Sequence, residues 1–140
     1  MKIAVIYWSG TGNTEAMANA IVEGMKEGGA EVELFQVSDF DESTHSNYDR
    51  LVFGCPAMGD EVLEEEEFEP FFTSIEGKLK DREIGIFGSY EWNDGDWMRN
   101  WEKRVKDGGI KLLEDGLMIY DAPDADGLEK CKEFGKRFAK

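Results

Sequence analysis

The sequence has few of the residues that build metal sites and disulfide frameworks. It contains one histidine, His45, and two cysteines, Cys55 and Cys131, which lie far apart and belong to no CxxC or Cys/His cluster. This argues against a zinc site, and we expect no bound metal. The cysteine count alone permits one disulfide, but we expect two reduced thiols in a cytoplasmic protein.

Long hydrophobic runs are also missing. No stretch approaches the ~20 apolar residues of a membrane-spanning helix. The apolar run near the N-terminus is too short for a signal peptide. We therefore expect a soluble, cytoplasmic protein that does not bind membranes.

Basic residues are scarce. The chain has 16 Lys and Arg against 31 Asp and Glu, for a formal net charge of -15. Residues 27–77 hold 15 of the acids and a single base, Arg50. Such a charge argues against nucleic acid and anionic membrane surfaces as partners and favours basic ones, although a charge run is most often only a solvated face.

The chain does have enough apolar residues to build a core. Hydrophobic residues make up 41% of its 140 positions. A chain of this length is typically one ordinary domain, and we expect residues 1–140 to form a single one.

Buried strands and amphipathic helices alternate along the sequence. We predict strands at 3–7, 31–37, 50–55 and 83–88, an interrupted fifth strand at 110–113 and 117–120, and helices at 13–28, 67–75, 96–107 and 124–139. This order predicts a doubly wound α/β fold, in which a parallel sheet carries helices on both faces. Ligands of such folds bind at the carboxyl ends of the strands.

The loop after the first strand has the features of a phosphate-binding loop. After Trp8, a run of small and polar residues leads directly into a predicted helix. These residues are Ser9, Gly10, Thr11, Gly12, Asn13 and Thr14. Glycines allow close approach of an anion, the helix start supplies free N–H groups, and Asn13 or Thr14 is the expected N-cap. The GxxxxGK[ST] motif is absent, and Glu15 replaces the third glycine of GxGxxG.

Two further loops follow the third and fourth predicted strands. The first contains Pro56, Ala57, Met58, Gly59, Asp60 and Glu61, and the second contains Ser89, Tyr90, Glu91 and Trp92. Ordinary packing explains Met58, Tyr90 or Trp92 taken singly. Together, at the ends of adjacent strands, they predict a crevice that encloses a flat ring.

Three segments resemble one family. SGTGNT at 9–14, AMGDEVLEE at 57–65 and GSYxW at 88–92 are similar to the flavodoxins, and to the short-chain type of anaerobic bacteria such as clostridia. The resemblance runs from end to end. It implies a flavodoxin-like three-layer sandwich with a five-stranded parallel sheet in the order 2-1-3-4-5, and FMN as the cofactor.

The resemblance also implies roles for individual residues. Residues 9–14 would hold the FMN phosphate, Met58 and Gly59 would lie against the inner face of the flavin, and Trp92 would stack on the outer face. Glu61 would accept a hydrogen bond from flavin N3–H, the backbone near Asp60 and Glu91 would meet the pyrimidine edge, and Asp121 would lie at the same end. Pro56 and Glu91 depart from the family pattern, where a hydroxyl residue and a glycine are common.

The function implied is that of a low-potential electron carrier without substrate chemistry, so no catalytic residue is expected. Its partners would be redox proteins with basic docking faces that meet a monomer transiently, and the acidic tract from Asp60 to Glu69 would fringe the exposed flavin edge. The alternative on the same fold is a small FMN-dependent NAD(P)H:quinone-type reductase. The chain is not a response-regulator domain, because Cys55 stands at the end of the third strand, where that class needs an aspartate. It is not a dinucleotide-binding domain either, because the third glycine of that motif is missing.

Overall fold

The computed structural model describes residues 1–58, 62–91 and 94–140. Within these ranges the strands are Lys2–Tyr7 (β1), Glu31–Gln36 (β2), Arg50–Gly54 (β3), Glu83–Tyr90 (β4), Lys111–Leu112 (β5) and Leu117–Tyr120 (β6). The α-helices are Asn13–Glu27 (α1), Phe68–Glu76 (α2), Asp96–Asp107 (α3) and Ala125–Phe138 (α4). Two short 3-10 helices at Val37–Asp39 and Glu42–Asn47, which the sequence pattern did not predict, connect β2 to β3.

The strands form one parallel sheet in the order β2-β1-β3-β4-β5. The short strands β5 and β6 both pair with β4. Strand β5 pairs with Glu83 and Ile84, and strand β6 pairs with residues 87–90, further along β4. They share the place of one fifth strand, which is interrupted at residues 113–116, close to the interruption predicted at 114–116. The predicted fold class and strand order are confirmed.

The helices divide the core into two layers. On one face of the sheet, α1 and α4 cover Val5 of β1 and Val52 of β3. On the other face, α2 and α3 cover Ile6 and Phe53, the next residues along the same strands. Successive side chains of a strand point to opposite faces, so the central strands are buried on both sides and read as continuous apolar runs.

An ion-pair network joins α2 to α3. The guanidinium of Arg104 donates to both carboxylate oxygens of Glu69, each at 2.8 Å, and to Glu76 at 2.9 Å. The same guanidinium lies over the ring of Phe72, with its carbon 5.0 Å from the ring centroid. Arg104 therefore holds the helix that begins just after the loop from β3.

The parallel arrangement places the ends of β1, β3 and β4 at one edge of the sheet. The chain leaves β1 for β2 on one side and returns to β3 on the other, so the switch point lies between β1 and β3. In the described ranges, no helix combines the length and apolar character needed to span a bilayer.

Candidate cofactor site

Ser9 organises the loop after β1. Its hydroxyl oxygen accepts hydrogen bonds from the backbone N–H of Gly12 at 3.1 Å and of Glu15 at 3.3 Å. Gly12 has φ 98°, a left-handed conformation that favours glycine, and it is the N-cap residue of α1. The prediction of Asn13 or Thr14 as the N-cap was wrong, because Gly12 is the N-cap residue and the hydroxyl of Ser9, three residues earlier, accepts the first-turn N–H of Glu15.

Four backbone N–H groups of this loop have no hydrogen-bond partner among the described residues. Those of Gly10, Thr11, Asn13 and Thr14 donate no hydrogen bond to any residue that the structure describes. They lie at the positive end of a 15-residue helix. Unpaired N–H groups at a helix N-terminus attract anions, so this loop can hold a phosphate with neutral donors alone.

Thr14 joins the loop to β4. Its hydroxyl oxygen lies 3.1 Å from that of Ser89, and the two residues are 1% and 5% exposed. Thr14 belongs to the loop that was predicted to hold the phosphate, and its hydroxyl is hydrogen-bonded to that of Ser89. The backbone N–H of Thr14 stays available for that role.

A cleft of about 240 Å³ lies between the loops after β1, β3 and β4. It is lined by Trp8, Gly10, Thr11, Pro56, Ala57, Met58, Ser89, Tyr90 and Glu91. Next to it, on the β2 side, is a polar cavity of about 310 Å³ where the hydroxyl of Tyr7 donates to Glu15 at 2.8 Å. Burial and then the contact with Glu15 raise the pKa of Tyr7 to about 12.

Backbone hydrogen bonds fix the walls of the cleft. Ala57 N–H donates to the carbonyl of Ser89 at 3.0 Å, which ties the loop after β3 to β4. Asp121 N–H donates to the carbonyl of Tyr90 at 2.6 Å. Asp121 thus lies at the end of β6 beside the cleft, with φ 58°.

The ring of Tyr90, which lines the cleft, packs against two other aromatic rings. It packs on Trp97, with centroids 5.6 Å apart, and edge-on against Tyr120 at 5.5 Å.

Gly59, Asp60, Glu61 and Trp92 lie outside the described residues, and their predicted roles stay predictions.

The structure shows contacts of Glu64 and Glu67 that the sequence analysis missed. Glu64, 5% exposed, accepts backbone N–H groups at the start of α2, and Glu67 accepts the indole N–H of Trp8 at 3.3 Å. An acidic residue just before a helix is a known start signal and could have indicated Glu64. No local pattern indicates the contact of Glu67 with Trp8, 59 residues away.

These contacts correct the expectation that the whole tract from Asp60 to Glu69 fringes the flavin edge. Glu64 is buried, and Glu69 is paired with Arg104. Glu65 and Glu66 are exposed, as expected of a solvated acidic surface. The exposed charge of this tract is therefore smaller than its composition indicates.

The cysteines and acids do not form a metal site in the described part of the chain, where no group of three His, Cys, Asp or Glu could hold an ion. Cys55 and Cys131 are free and buried, as expected of reduced thiols. Burial raises the pKa of both thiols, that of Cys131 to about 12, so neither is a reactive thiolate.

The fold and the loop together define a class: doubly wound α/β proteins that bind a phosphorylated cofactor at the switch point of the sheet. The model of the flavodoxin family matches residues 5–135. The chain is 47% identical to the flavodoxin of Clostridium beijerinckii over 135 residues, which cover 96% of this chain and 97% of that protein. It is 43% identical to the flavodoxin of Megasphaera elsdenii over 138 residues, 99% of this chain and 98% of that protein.

A solved structure agrees with these sequence matches. The solution structure of two-electron reduced Megasphaera elsdenii flavodoxin superposes with a TM-score of 0.85 at 42% identity, covering 96% of this chain and 98% of that one. The chain belongs to the flavodoxin family. Flavodoxins carry electrons on bound FMN, so the predicted cofactor and function are confirmed, in preference to the reductase alternative.

Proposed function

We propose that FMN binds in the cleft between the loops after β1, β3 and β4, with its phosphate at the free N–H groups of residues 10–14. The observation that carries this assignment is the set of four N–H groups beside the cleft that have no partner in the described part of the chain. A buried phosphate needs such donors, because a charge removed from water without hydrogen bonds is strongly unfavourable.

The flavin ring is assigned to the part of the cleft that is lined by apolar and aromatic side chains. Met58 would contact one face of the ring, and Trp92 and Tyr90 would lie on the other side. The backbone near Glu91 would contact the polar edge of the ring, where Glu61 would accept a hydrogen bond from flavin N3–H. Bound FMN supplies the one-electron chemistry. The chain binds the phosphate, orients the ring and excludes water from its inner face, and we assign no catalytic residue.

The potential of the cofactor is proposed to be low. Glu65, Glu66 and Glu91 are exposed carboxylates on the loops around the cleft. Each negative charge near the ring makes the addition of an electron less favourable, by a few tenths of a kcal/mol through solvent.

The partners are proposed to be redox proteins with basic docking faces, which meet this protein transiently. The net charge of -15 supports steering of such partners and opposes binding to nucleic acid or anionic membranes. We further propose that residues 1–140 act as one FMN-binding domain, as a cytoplasmic monomer and as a carrier rather than an enzyme.

The phosphate assignment is tested by comparing FMN with riboflavin, which lacks the phosphate. Ser9→Ala removes the acceptor that folds the loop, and we expect it to raise the Kd for FMN about tenfold. Riboflavin should bind more weakly than FMN, and Ser9→Ala should change its Kd little. Ser46→Ala, at an exposed position, is the control. An equal loss for both ligands would contradict the placement of the phosphate.

The steering of partners is tested by salt. The rate of electron transfer to a basic acceptor should fall steeply between low and high ionic strength, and the rate to a small neutral acceptor should not. A rate with the basic acceptor that does not depend on salt would contradict the docking proposal.

A further inference from the structure

Glu64 holds its carboxylate inside the protein. The residue is 5% exposed, and its two carboxylate oxygens accept backbone N–H groups from Glu66 at 2.9 Å, Glu67 at 2.7 Å and Phe68 at 2.8 Å. These groups lie at the N-terminus of α2, whose N-cap residue, Glu67, makes no capping bond with its own side chain. The carboxylate of Glu64 therefore supplies the cap from a position three residues earlier.

The backbone of Glu64 is fixed as well. Its N–H donates to the Sγ atom of Cys55, at the end of β3, at 3.3 Å, and its carbonyl accepts the N–H of Glu69 at 2.8 Å. Close by, Met58 N–H donates to the carbonyl of Val62 at 3.0 Å. Glu64 thus ties the far end of the loop after β3 both to the sheet and to α2.

A second contact extends this arrangement to the loop after β1. Glu67, whose backbone N–H is bonded to Glu64, accepts the indole N–H of Trp8 at 3.3 Å. Trp8 and Met58 both line the cleft. Residues 62–68, which we name the β3–α2 segment, therefore contact both loops that flank the switch point.

Helix capping alone does not require this burial. An exposed Ser, Thr or Asp at the N-cap satisfies the same donors without removing a charge from water. A buried carboxylate with three hydrogen bonds has a single favourable position, because any displacement leaves a charge unpaired in the interior. Burial raises the pKa of Glu64, but the hydrogen bonds from the backbone of Phe68, Glu67 and Glu66 lower it by a larger amount. The net effect is a lowered pKa, so the carboxyl is charged at neutral pH.

We propose that Glu64 is a positioning residue for the flavin: its buried carboxylate fixes the β3–α2 segment and, through it, the loops that carry Met58 and Trp8. This inference rests on the proposed placement of FMN in the cleft. It assigns to Glu64 a role in cofactor affinity that is separate from its role in helix stability.

The test compares Glu64→Gln with Glu65→Gln. Both substitutions remove one negative charge from the same segment, but Glu65 is exposed and makes no hydrogen bond with its side chain within the described residues. Kd values for FMN are measured at a temperature where every apo-protein is folded, and the unfolding of each apo-protein is measured separately. We expect Glu64→Gln to raise the Kd about tenfold and Glu65→Gln to change it less than twofold.

A spectroscopic readout separates positioning from stability. Visible circular dichroism of bound FMN should change in Glu64→Gln and match the parent protein in Glu65→Gln, because only the first displaces side chains around the ring. If Glu64→Gln lowers apo-protein stability while the Kd and the flavin spectrum match those of Glu65→Gln, Glu64 is only a helix cap and the proposal is overturned.

Two further variants complete the design. If Glu64→Gln does not fold, the Kd for FMN is measured in Glu64→Asp instead. This variant keeps the charge but is one methylene too short to reach all three N–H groups. A raised Kd supports the proposal, and an unchanged Kd overturns it. Ser9→Ala with FMN and riboflavin tests the cofactor placement independently, so an error in that placement is distinguishable from an error about Glu64.

Discussion

Gly24 of α1 lies against the backbone of Lys132 in α4, so closely that a Cβ atom on Gly24 would lie 2.0 Å from the carbonyl oxygen of Lys132. Gly135 of α4 makes the reciprocal contact, with a Cβ position 2.1 Å from the carbonyl oxygen of Ile21. The two helices therefore meet backbone to backbone. Because α1 begins at the proposed phosphate loop, this contact also sets where that loop sits over the sheet.

Replacing Gly24 should separate the two helices. Gly24→Ala places a methyl group where the carbonyl of Lys132 lies, and we expect it to lower the free energy of unfolding by about 1–3 kcal/mol. Gly77→Ala is the matched control: Gly77 has φ -67°, and apart from the adjoining chain no atom of the described residues lies within 4 Å of its Cβ position. The control should be neutral or stabilising by less than about 1 kcal/mol. Equal effects in urea unfolding would contradict the close contact.

Asp81 carries backbone strain that glycine would relieve. It is exposed and has φ 66°, a left-handed conformation that Asn and Asp tolerate better than other side chains but that only glycine adopts without steric cost. We expect Asp81→Gly to raise the free energy of unfolding by up to about 1 kcal/mol. Asp115→Gly, at an exposed position without positive φ, should be neutral or destabilising. Thermal unfolding of both variants checks this, and a loss of stability in Asp81→Gly alone would argue against the strain.

Two buried tryptophans should respond differently to phenylalanine. The indole N–H of Trp97 donates to the carbonyl of Cys55 at 3.2 Å, whereas that of Trp101 has no hydrogen-bond partner among the residues that the structure describes. Trp101 lies edge-on to Phe68 and Phe72, with centroids 5.5 Å and 5.7 Å away.

Both substitutions lose apolar contact area, but only Trp97→Phe leaves a buried carbonyl unpaired. We expect Trp97→Phe to cost about 1–2 kcal/mol more than Trp101→Phe in urea unfolding. A larger cost for Trp101→Phe would show that its indole nitrogen has a partner in solution.

Glu64 should make stability depend on acid pH. Burial raises its pKa, and hydrogen bonds from the backbone of Phe68, Glu67 and Glu66 bring it below the ordinary 4.5. Because the pKa is lower in the folded than in the unfolded state, this stabilisation is complete above pH 4.5 and is lost as the pH falls through the folded-state value.

The measurement is the free energy of unfolding between neutral and acid pH. The difference between the parent protein and Glu64→Gln should shrink below about pH 4.5, by at most about 1.4 kcal/mol per pH unit for one proton. Glu65→Gln should run parallel to the parent protein. A constant difference across this range would show that the charge of Glu64 contributes nothing.

Much of the fold was predictable because its signals are local. The apolar run at residues 3–7 and the small residues at 9–14 indicate a buried strand and a strand-to-helix turn from neighbouring positions alone. The strand order came from the resemblance to flavodoxins, and the structure confirms it. The N-cap of α1 was mispredicted, because residue-type preference favours Asn or Thr at that position, whereas Gly12 takes a left-handed φ before the helix and donates its N–H to Ser9.

The sequence by itself determined the alternation of strands and helices, the loop of small residues at 9–14 and the concentration of acids in residues 27–77, because composition and spacing carry that information. It could not distinguish among the four consecutive glutamates at 64–67. Only the tertiary structure decided that Glu64 is buried, that Glu67 meets Trp8 and that Glu65 and Glu66 face solvent. The reason is physical: the environment of each carboxylate is set by contacts with β3, α2 and the loop after β1, which folding brings together.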